Sequence, residues 1–232
     1  MSGRSPRWFT GIQYLYEKNF ADNTWEQIIE ACQKKRIPST WKVGDQKAMT
    51  IGGTDYLIDI IGINHDDYSD GSGKAPFTFQ LHDCYGETKN MNSSNTNSGG
   101  WTSCAMRQTH LPAILSQMPT EVQNSIREVN KLTSAGNQSA TINTTADKLF
   151  LLSEIEIFGS VSHSKSGEGT QYDYYKNGGS KVKNYNGKTN WWWERSPYGT
   201  YPNTLFCLVS RDGTATNNKA SFTYGVAFAF CF

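Results

Sequence analysis

The chain has 232 residues, with 22 Lys and Arg against 21 Asp and Glu, a near-neutral balance that argues against a grip on nucleic acid as its main task. Only 19% of residues are charged, while Gly, Ser, Thr and Asn exceed a third of the chain, a loop-rich composition that excludes long-helix and coiled-coil classes. Aromatic residues at 13% are enough to build a core that offsets the entropy of ordering many loops, so disorder is excluded as well.

No stretch reaches the roughly 18 apolar residues needed to span a bilayer. Residues 1–20 lack the pattern of a signal peptide, so the expectation is a soluble chain made in the cytoplasm. Cys32, Cys84, Cys104, Cys207 and Cys231 form no CxxC pair and are odd in number, which points to reduced, buried thiols. Cys207 and Cys231 lie in two apolar segments and could be neighbours, leaving one disulfide open.

Residues 1–23 read as an N-terminal extension or linker, and residues 24–232 as one domain. Thr24 before Trp25, Ile28, Ile29 and Cys32, with Gln27 completing a capping box, predicts a short amphipathic helix that stops before Pro38. Apolar runs on either side of Gly52 and Gly53 predict a hairpin over residues 48–61 with a buried second strand. Phe77, Phe79 and Leu81 repeat the strand period and should share its sheet.

Residues 90–100 are almost wholly Asn, Ser, Thr and Gly and read as a surface loop. A broken helical pattern follows over residues 101–118, with Pro112 starting a new turn. Residues 125–132 are ambiguous between helix and strand, whereas residues 147–153 read as a buried strand. In the Gly- and Tyr-rich stretch 159–190, Tyr172, Tyr174 and Tyr175 are expected to fold the segment down. The apolar end places Val226, Phe228, Phe230 and Phe232 on one strand face, with Ala227, Ala229 and Cys231 on the other, and should be central in a sheet.

The residues carry little catalytic chemistry. None of His65, His82, His110 and His163 stands in a metal-binding or nucleophile-elbow spacing. His82, Asp83 and Cys84 are adjacent on a strand, so they point to opposite faces and cannot converge as a triad. The best cation candidate is the loop 64–73, where Asp66, Asp67 and Asp70 surround a glycine turn as calcium prefers. Tyr68 and Phe77 occupy positions where an EF-hand needs oxygen ligands, so a polar loop with Asx turns is favoured and no cofactor is expected. Trp191, Trp192 and Trp193 alternate, so at least one should be buried, and Arg195 reads as a buried pair-former.

WWWERSP at 191–197, FC at 206–207, Gly213, Ala215 and a closing GVAFAFCF together resemble the C-type-lectin-fold variable proteins of diversity-generating retroelements. The related phage and gut-bacterial domains ending in a WWLRSP segment and a GV-aromatic strand share this signature. YLIDIIGINHDD at 56–67 and TADKLFLLSEIEIFG at 145–159 extend the resemblance over most of the chain. It implies an α+β, C-type-lectin-like module, similar also to formylglycine-generating enzymes, with short helices around mostly antiparallel sheets and long loops. It further implies a non-enzymatic receptor-binding domain whose surface is rewritten chiefly at Asn codons.

Randomised AAC or AAT codons cannot reach Lys, Glu, Gln, Met or Trp, and Lys219 is the sole residue of that set between Tyr198 and Tyr224. On this resemblance Phe206, Cys207, Val209, Gly213, Ala215, Ala220, Gly225 and Val226 are scaffold positions. The ligand-binding positions are Tyr198, Thr200, Tyr201, Asn203, Leu205, Leu208, Ser210, Asp212, Thr214, Thr216, Ser221, Phe222 and Tyr224. Leu208 and Phe222 are expected to be exposed beside Tyr198, Tyr201 and Tyr224, giving an aromatic patch suited to a protein interface.

The partner implied is a host-surface protein or glycan, without nucleic acid or membrane insertion, at a phage tail or a bacterial cell surface. A homotrimer, as in tail fibres, stays open, since no heptads are present to enforce one. The rival classes are a fixed-specificity lectin, stacking sugars on Trp191 or Trp193 with calcium in the 64–73 loop, and a structural tail adaptor. Two departures stand out: Glu194 where relatives carry Leu, and no Pro in the closing strand.

Overall fold

The computed structural model describes residues 16–232. Its first helix, α1 (Trp25–Gln33), begins where the sequence directs: Thr24 Oγ1 accepts the Gln27 N–H, and the Gln27 side chain closes the box on the Thr24 N–H at 2.8 Å. Trp25, Ile28, Ile29 and Cys32 form its buried stripe. Of the N-terminal extension expected over residues 1–23, residues 1–15 lie outside the described structure. Tyr16 and Phe20 pack into the core, with Phe20 edge-on to Trp41 at 5.3 Å.

The main sheet has five antiparallel strands in the order β1 (Gln46–Ile51), β2 (Thr54–Ile63), β3 (Phe77–Leu81), β12 (Ala229–Cys231) and β6 (Leu149–Phe150). Gly52 and Gly53, at φ +57° and +83°, make the turn from β1 to β2 that the sequence predicts. β12 is flanked by β3 and β6, and residues 226–232 are wholly buried on both faces, as expected for a central closing strand. The Phe79, Phe230 and Phe232 rings lie 5.4 to 5.5 Å apart and form the sheet's aromatic centre.

The broken helical pattern becomes α2 (Gly100–Ser103), a π turn over Met106–His110, and α3 (Leu111–Leu115), with Pro112 in the first turn of α3. α4 (Thr120–Ser125) precedes β4 (Val129–Ser134), which pairs with β5 (Ile142–Asp147), so the ambiguous stretch 125–132 is a helix end followed by a strand. The expected strand over 147–153 shrinks to the two residues of β6, because Ser153 turns the chain to cap α5 (Glu154–Phe158). α6 (Asp173–Lys176) and the hairpin β7 (Lys183–Tyr185) and β8 (Lys188–Asn190) follow. Tyr172 and Tyr175 are buried and Tyr174 half-buried, so these rings do fold the segment down.

A second antiparallel sheet carries the distinctive C-terminal tract: β9 (Trp192–Pro197), β10 (Leu205–Val209) and β11 (Ala215–Lys219), with β10 in the middle. The molecule is therefore α+β, with short helices around antiparallel sheets. Among the described residues no helix is long and apolar enough to cross a membrane.

All five cysteines are free and buried. Cys207 and Cys231 do not pair, because they sit in different sheets: Cys207 in β10, and Cys231 in β12 beside Thr78 and Asp66.

Candidate functional site

The second sheet is held from behind by charge. Arg195 is wholly buried and donates to Glu156 in bidentate fashion, to Thr133 Oγ1 at 2.9 Å, and to the carbonyls of Leu151, Leu132 and Glu168 at 2.9, 3.0 and 2.9 Å. Lys131, also buried, bridges Glu156 at 2.8 Å and Asp66 at 2.7 Å. Two cations thus face two carboxylates, and the tract reads as the hub expected of Arg195. Burial alone would raise the Asp66 carboxyl, but the Lys131 ammonium outweighs it and holds the group at about 2. Burial opposes ionisation of Glu156 too, and Arg195 and Lys131 together keep it below the usual carboxylate range.

The other face of β9 is different in kind. Glu194 is wholly buried and neither carboxyl oxygen has a hydrogen-bond partner. Glu154, Glu168, Arg195 and Cys207 are the charged and titratable groups around it. Glu154 accepts the N–H groups of Ser162, His163 and Ser164 at 2.7 to 3.0 Å, and Glu168 accepts from Ser134 N–H at 2.8 Å and from the Ser196 hydroxyl. Arg195, on the opposite side of the strand, is committed to Glu156. Burial, then the two neighbouring carboxylates, push Glu194 far above the ordinary carboxyl range, and burial lifts Glu168 to about 7.

In front of this layer lie the residues singled out for ligand binding. Tyr201 is 79% exposed and Phe222 47% exposed, and Thr200, Asp212 and Thr214 are open to solvent as well. Tyr198, Asn203, Leu205, Ser210, Thr216 and Ser221 are half-buried. Lys219 sets its ammonium 5.8 Å from the Phe222 ring centre.

Ser210, Asp212 and Thr214 bond to one another around Gly213, whose φ of +81° makes the turn. The Ser210 hydroxyl, then Thr214, keep the Asp212 carboxyl below its ordinary value. Asn203 donates its amide to Asn137 Oδ1, and Ser221 donates to Asn95 Oδ1 through its hydroxyl at 2.7 Å.

Two expectations are corrected. Leu208 is not exposed: both faces of β10 are covered, Phe206 through Val209 are all at 0% exposure, and Leu208 lies opposite Trp193. Alternation cannot mark an outward face on a strand buried on both sides. Tyr224 is half-buried rather than presented. Its ring packs on Trp191 and Trp193 at 5.3 and 5.1 Å, and its hydroxyl accepts from Asn218 at 2.7 Å.

The Trp triplet is structural in the same way. Trp192 and Trp193 are wholly buried, and half-buried Trp191 has Tyr224 against it and the Arg211 guanidinium 6.0 Å from its ring. The scaffold positions Phe206, Cys207, Val209, Ala220, Gly225 and Val226 are all buried. At Gly225 an added Cβ would meet Cys84 Sγ at 2.4 Å.

The acidic loop 64–73 disperses its carboxylates instead of converging them. Asp66 turns inward to Lys131, Asp67 pairs with Lys74 at 3.0 Å, and Asp70 reaches Arg127 at 2.6 Å. No group of three or more metal-ligating side chains forms among the described residues. His82, Asp83 and Cys84 also separate: His82 pairs with Asp59 at 2.9 Å, Asp83 holds Asn184, and burial pushes the Cys84 thiol up to about 12.

Residues 68–232 match the model of a domain family of unknown function, DUF6273. The chain belongs to that family. The match begins ahead of β3 and takes in the whole second sheet, leaving α1 and the β1–β2 hairpin outside it. No curated protein and no solved structure matches the chain.

Sequence reasoning missed the backing of the exposed loops by residues 89–97 and by the turn at Asn137. Their one visible trace is the pair of apolar residues that bracket the Asn- and Ser-rich tract, Met91 and Trp101, both at 0% exposure.

Proposed function

We propose that this DUF6273 domain is a non-enzymatic recognition module that binds a host-surface protein or glycan through the loops of residues 198–224. Its α+β architecture is then a C-type-lectin-like one, as in the variable proteins of diversity-generating retroelements, and it works at a phage tail or a bacterial cell surface. One observation carries the reading: exposed side chains at Thr200, Tyr201, Asp212, Thr214 and Phe222 stand on strands whose own residues are buried on both faces. Tyr and Phe held open to solvent on a rigid support supply contact area at low entropic cost. Nothing at the loops offers a nucleophile or a paired acid and base, in keeping with binding rather than catalysis. Trp191 and Trp193, the stacking residues of a lectin reading, are covered by Tyr224, which favours the loops over the tryptophans as the contact surface.

Deep sequencing of the gene's 3′ end across a propagated population tests this. Substitutions should concentrate at Thr200, Tyr201, Asn203, Asp212, Thr214, Ser221 and Phe222 and spare Phe206, Gly213 and Gly225. A flat distribution over codons 198–224 and those before 190 would overturn a diversified face and leave a fixed-specificity lectin or an adaptor.

A further inference from the structure

Asn97 lies in the connection between β3 and α2 and is wholly buried, and its polar atoms are all engaged. Its Nδ2 donates to the carbonyls of Tyr198 at 3.2 Å and Leu205 at 3.0 Å. Its own N–H donates to Asn203 O at 2.9 Å, its Oδ1 accepts the Asn137 N–H at 2.9 Å, and its carbonyl accepts from Gly100 at 3.0 Å. Tyr198 and Leu205 are the two ends of the connection between β9 and β10, joined to each other by Tyr198 N–H to Leu205 O at 3.1 Å. One amide therefore closes the mouth of the loop that carries Thr200 and Tyr201 into solvent.

The rest of the segment works the same way. Met91 and Asn92 both donate N–H to Ala220 O, at 2.9 and 3.0 Å, and Ala220 donates to Thr204 O at 2.9 Å. Lys89 and Tyr224 exchange a pair of main-chain bonds, each 3.0 Å. On the recognition side every one of these partners is a main-chain atom, so none of the bonds depends on which side chains the loops display.

We propose that Asn97 is a positioning residue of the recognition face, fixing the 198–205 loop through its carbonyls whatever side chains the loop bears. This rests on the reading of residues 198–224 as the binding surface. Asparagine suits the place chemically: a single planar NH2 supplies two donors to two carbonyls while the same group accepts an N–H. Aspartate would set an acceptor-only carboxylate against both carbonyls. The backbone has little room to adjust, since a Cβ on Gly136 would come within 1.8 Å of Asn97 O.

The test is hydrogen exchange read by mass spectrometry on the full chain, with no ligand required. Asn97→Asp should speed exchange of the 198–205 peptide about tenfold, the consequence of losing two buried hydrogen bonds. Peptides covering 192–197 and 226–232 should keep the parental rate. Asn97→Ala, which adds no charge, should give the same local pattern. The double variant Thr200→Ala with Tyr201→Ala should exchange like the parent.

Unchanged exchange over 198–205 in both Asn97 variants would overturn the proposal, and so would a uniform rise along the chain in both. A Thr200 and Tyr201 double variant that loosens the loop as much as Asn97→Asp would overturn it as well. Because exchange is read without a partner, failure of the binding reading would appear separately, in the population sequencing.

Discussion

Replacing Glu194 by Leu should make the protein more stable, and more so at neutral pH than in mild acid. The carboxyl is wholly buried, its two oxygens are unpartnered, and Glu154 and Glu168 stand beside it. Such a group is held neutral, since burying an unpaired charge costs far more than binding a proton. Its ordinary value is 4.5, so keeping it protonated at pH 7 spans about 2.5 units, which at 1.36 kcal/mol each is about 3 kcal/mol. At pH 5 the same product is about 0.7 kcal/mol.

Between those pH values the folded state holds more protons than the unfolded one. The stability is therefore fully present below about 4.5 and lost as pH rises, with Glu168 adding to the loss until about 7. Leu matches the volume and removes both the titration and the orphan oxygens, so a gain of about 1–3 kcal/mol at pH 7 is expected after imperfect repacking. For a chain of this size that is a Tm higher by roughly 2–10 °C, measured by circular dichroism at pH 5 and pH 7. Burial holds His65 and His110 below the usual histidine value and these groups titrate with the opposite sign, so the informative quantity is the variant-minus-parent difference at each pH. A Leu variant less stable than the parent at pH 7, or a difference equal at both pH values, would refute the reasoning.

The double variant Tyr201→Ala and Phe222→Ala should leave Tm within about 2 °C of the parent in a thermal melt, because both rings face solvent. Leu208→Ala should instead cost about 2–5 kcal/mol in urea unfolding, the range for emptying a packed site, and a cost under 1 kcal/mol would return Leu208 to the surface. Lys131→Met leaves Asp66 and Glu156 without their shared cation and should cost about 3–5 kcal/mol at pH 7 by the same assay. The cysteines should ignore a thiol reagent in the native protein and all five react after denaturation, since burial lifts Cys32, Cys84 and Cys104 to about 12.

What could be read from the chain follows from how local each signal is. Thr24 and Gln27 cap their helix through contacts three residues apart, and Gly52 and Gly53 turn a hairpin of neighbouring strands, so both stand in the sequence. The central place of the closing strand was legible because a run apolar on both faces has no other stable home. Exposure of Leu208 was misjudged for the same reason: with β9 and β11 on its two edges and covered faces, β10 gives no alternation to read. The clamp at Asn97 was invisible because its partners lie roughly a hundred residues away and are carbonyls, which every residue has. A buried Asn in a tract of Asn and Ser looks like any other turn residue.

The two sides of β9 explain how one strand can serve both stability and display. On one side Arg195 ties β4, α5 and the Glu168 loop to the strand through a matched set of charges and main-chain carbonyls. That network fixes where β9 lies, and β10 and β11 follow it in register. On the other side the strand tolerates an unpartnered carboxyl, a local cost sustainable only if the fold is secured elsewhere. The loops beyond are then free of any structural task for their side chains: Asn97, Met91 and Asn92 hold them by main-chain atoms, and Tyr224 with the tryptophans seals the floor. Removing Tyr201 or Phe222 should therefore alter what the surface meets, while removing Tyr224 should alter the surface itself. A Tyr224→Ala variant is expected to lose about 2 kcal/mol of stability, and chemical denaturation of that variant beside the Tyr201 and Phe222 double variant would show whether floor and face are separable.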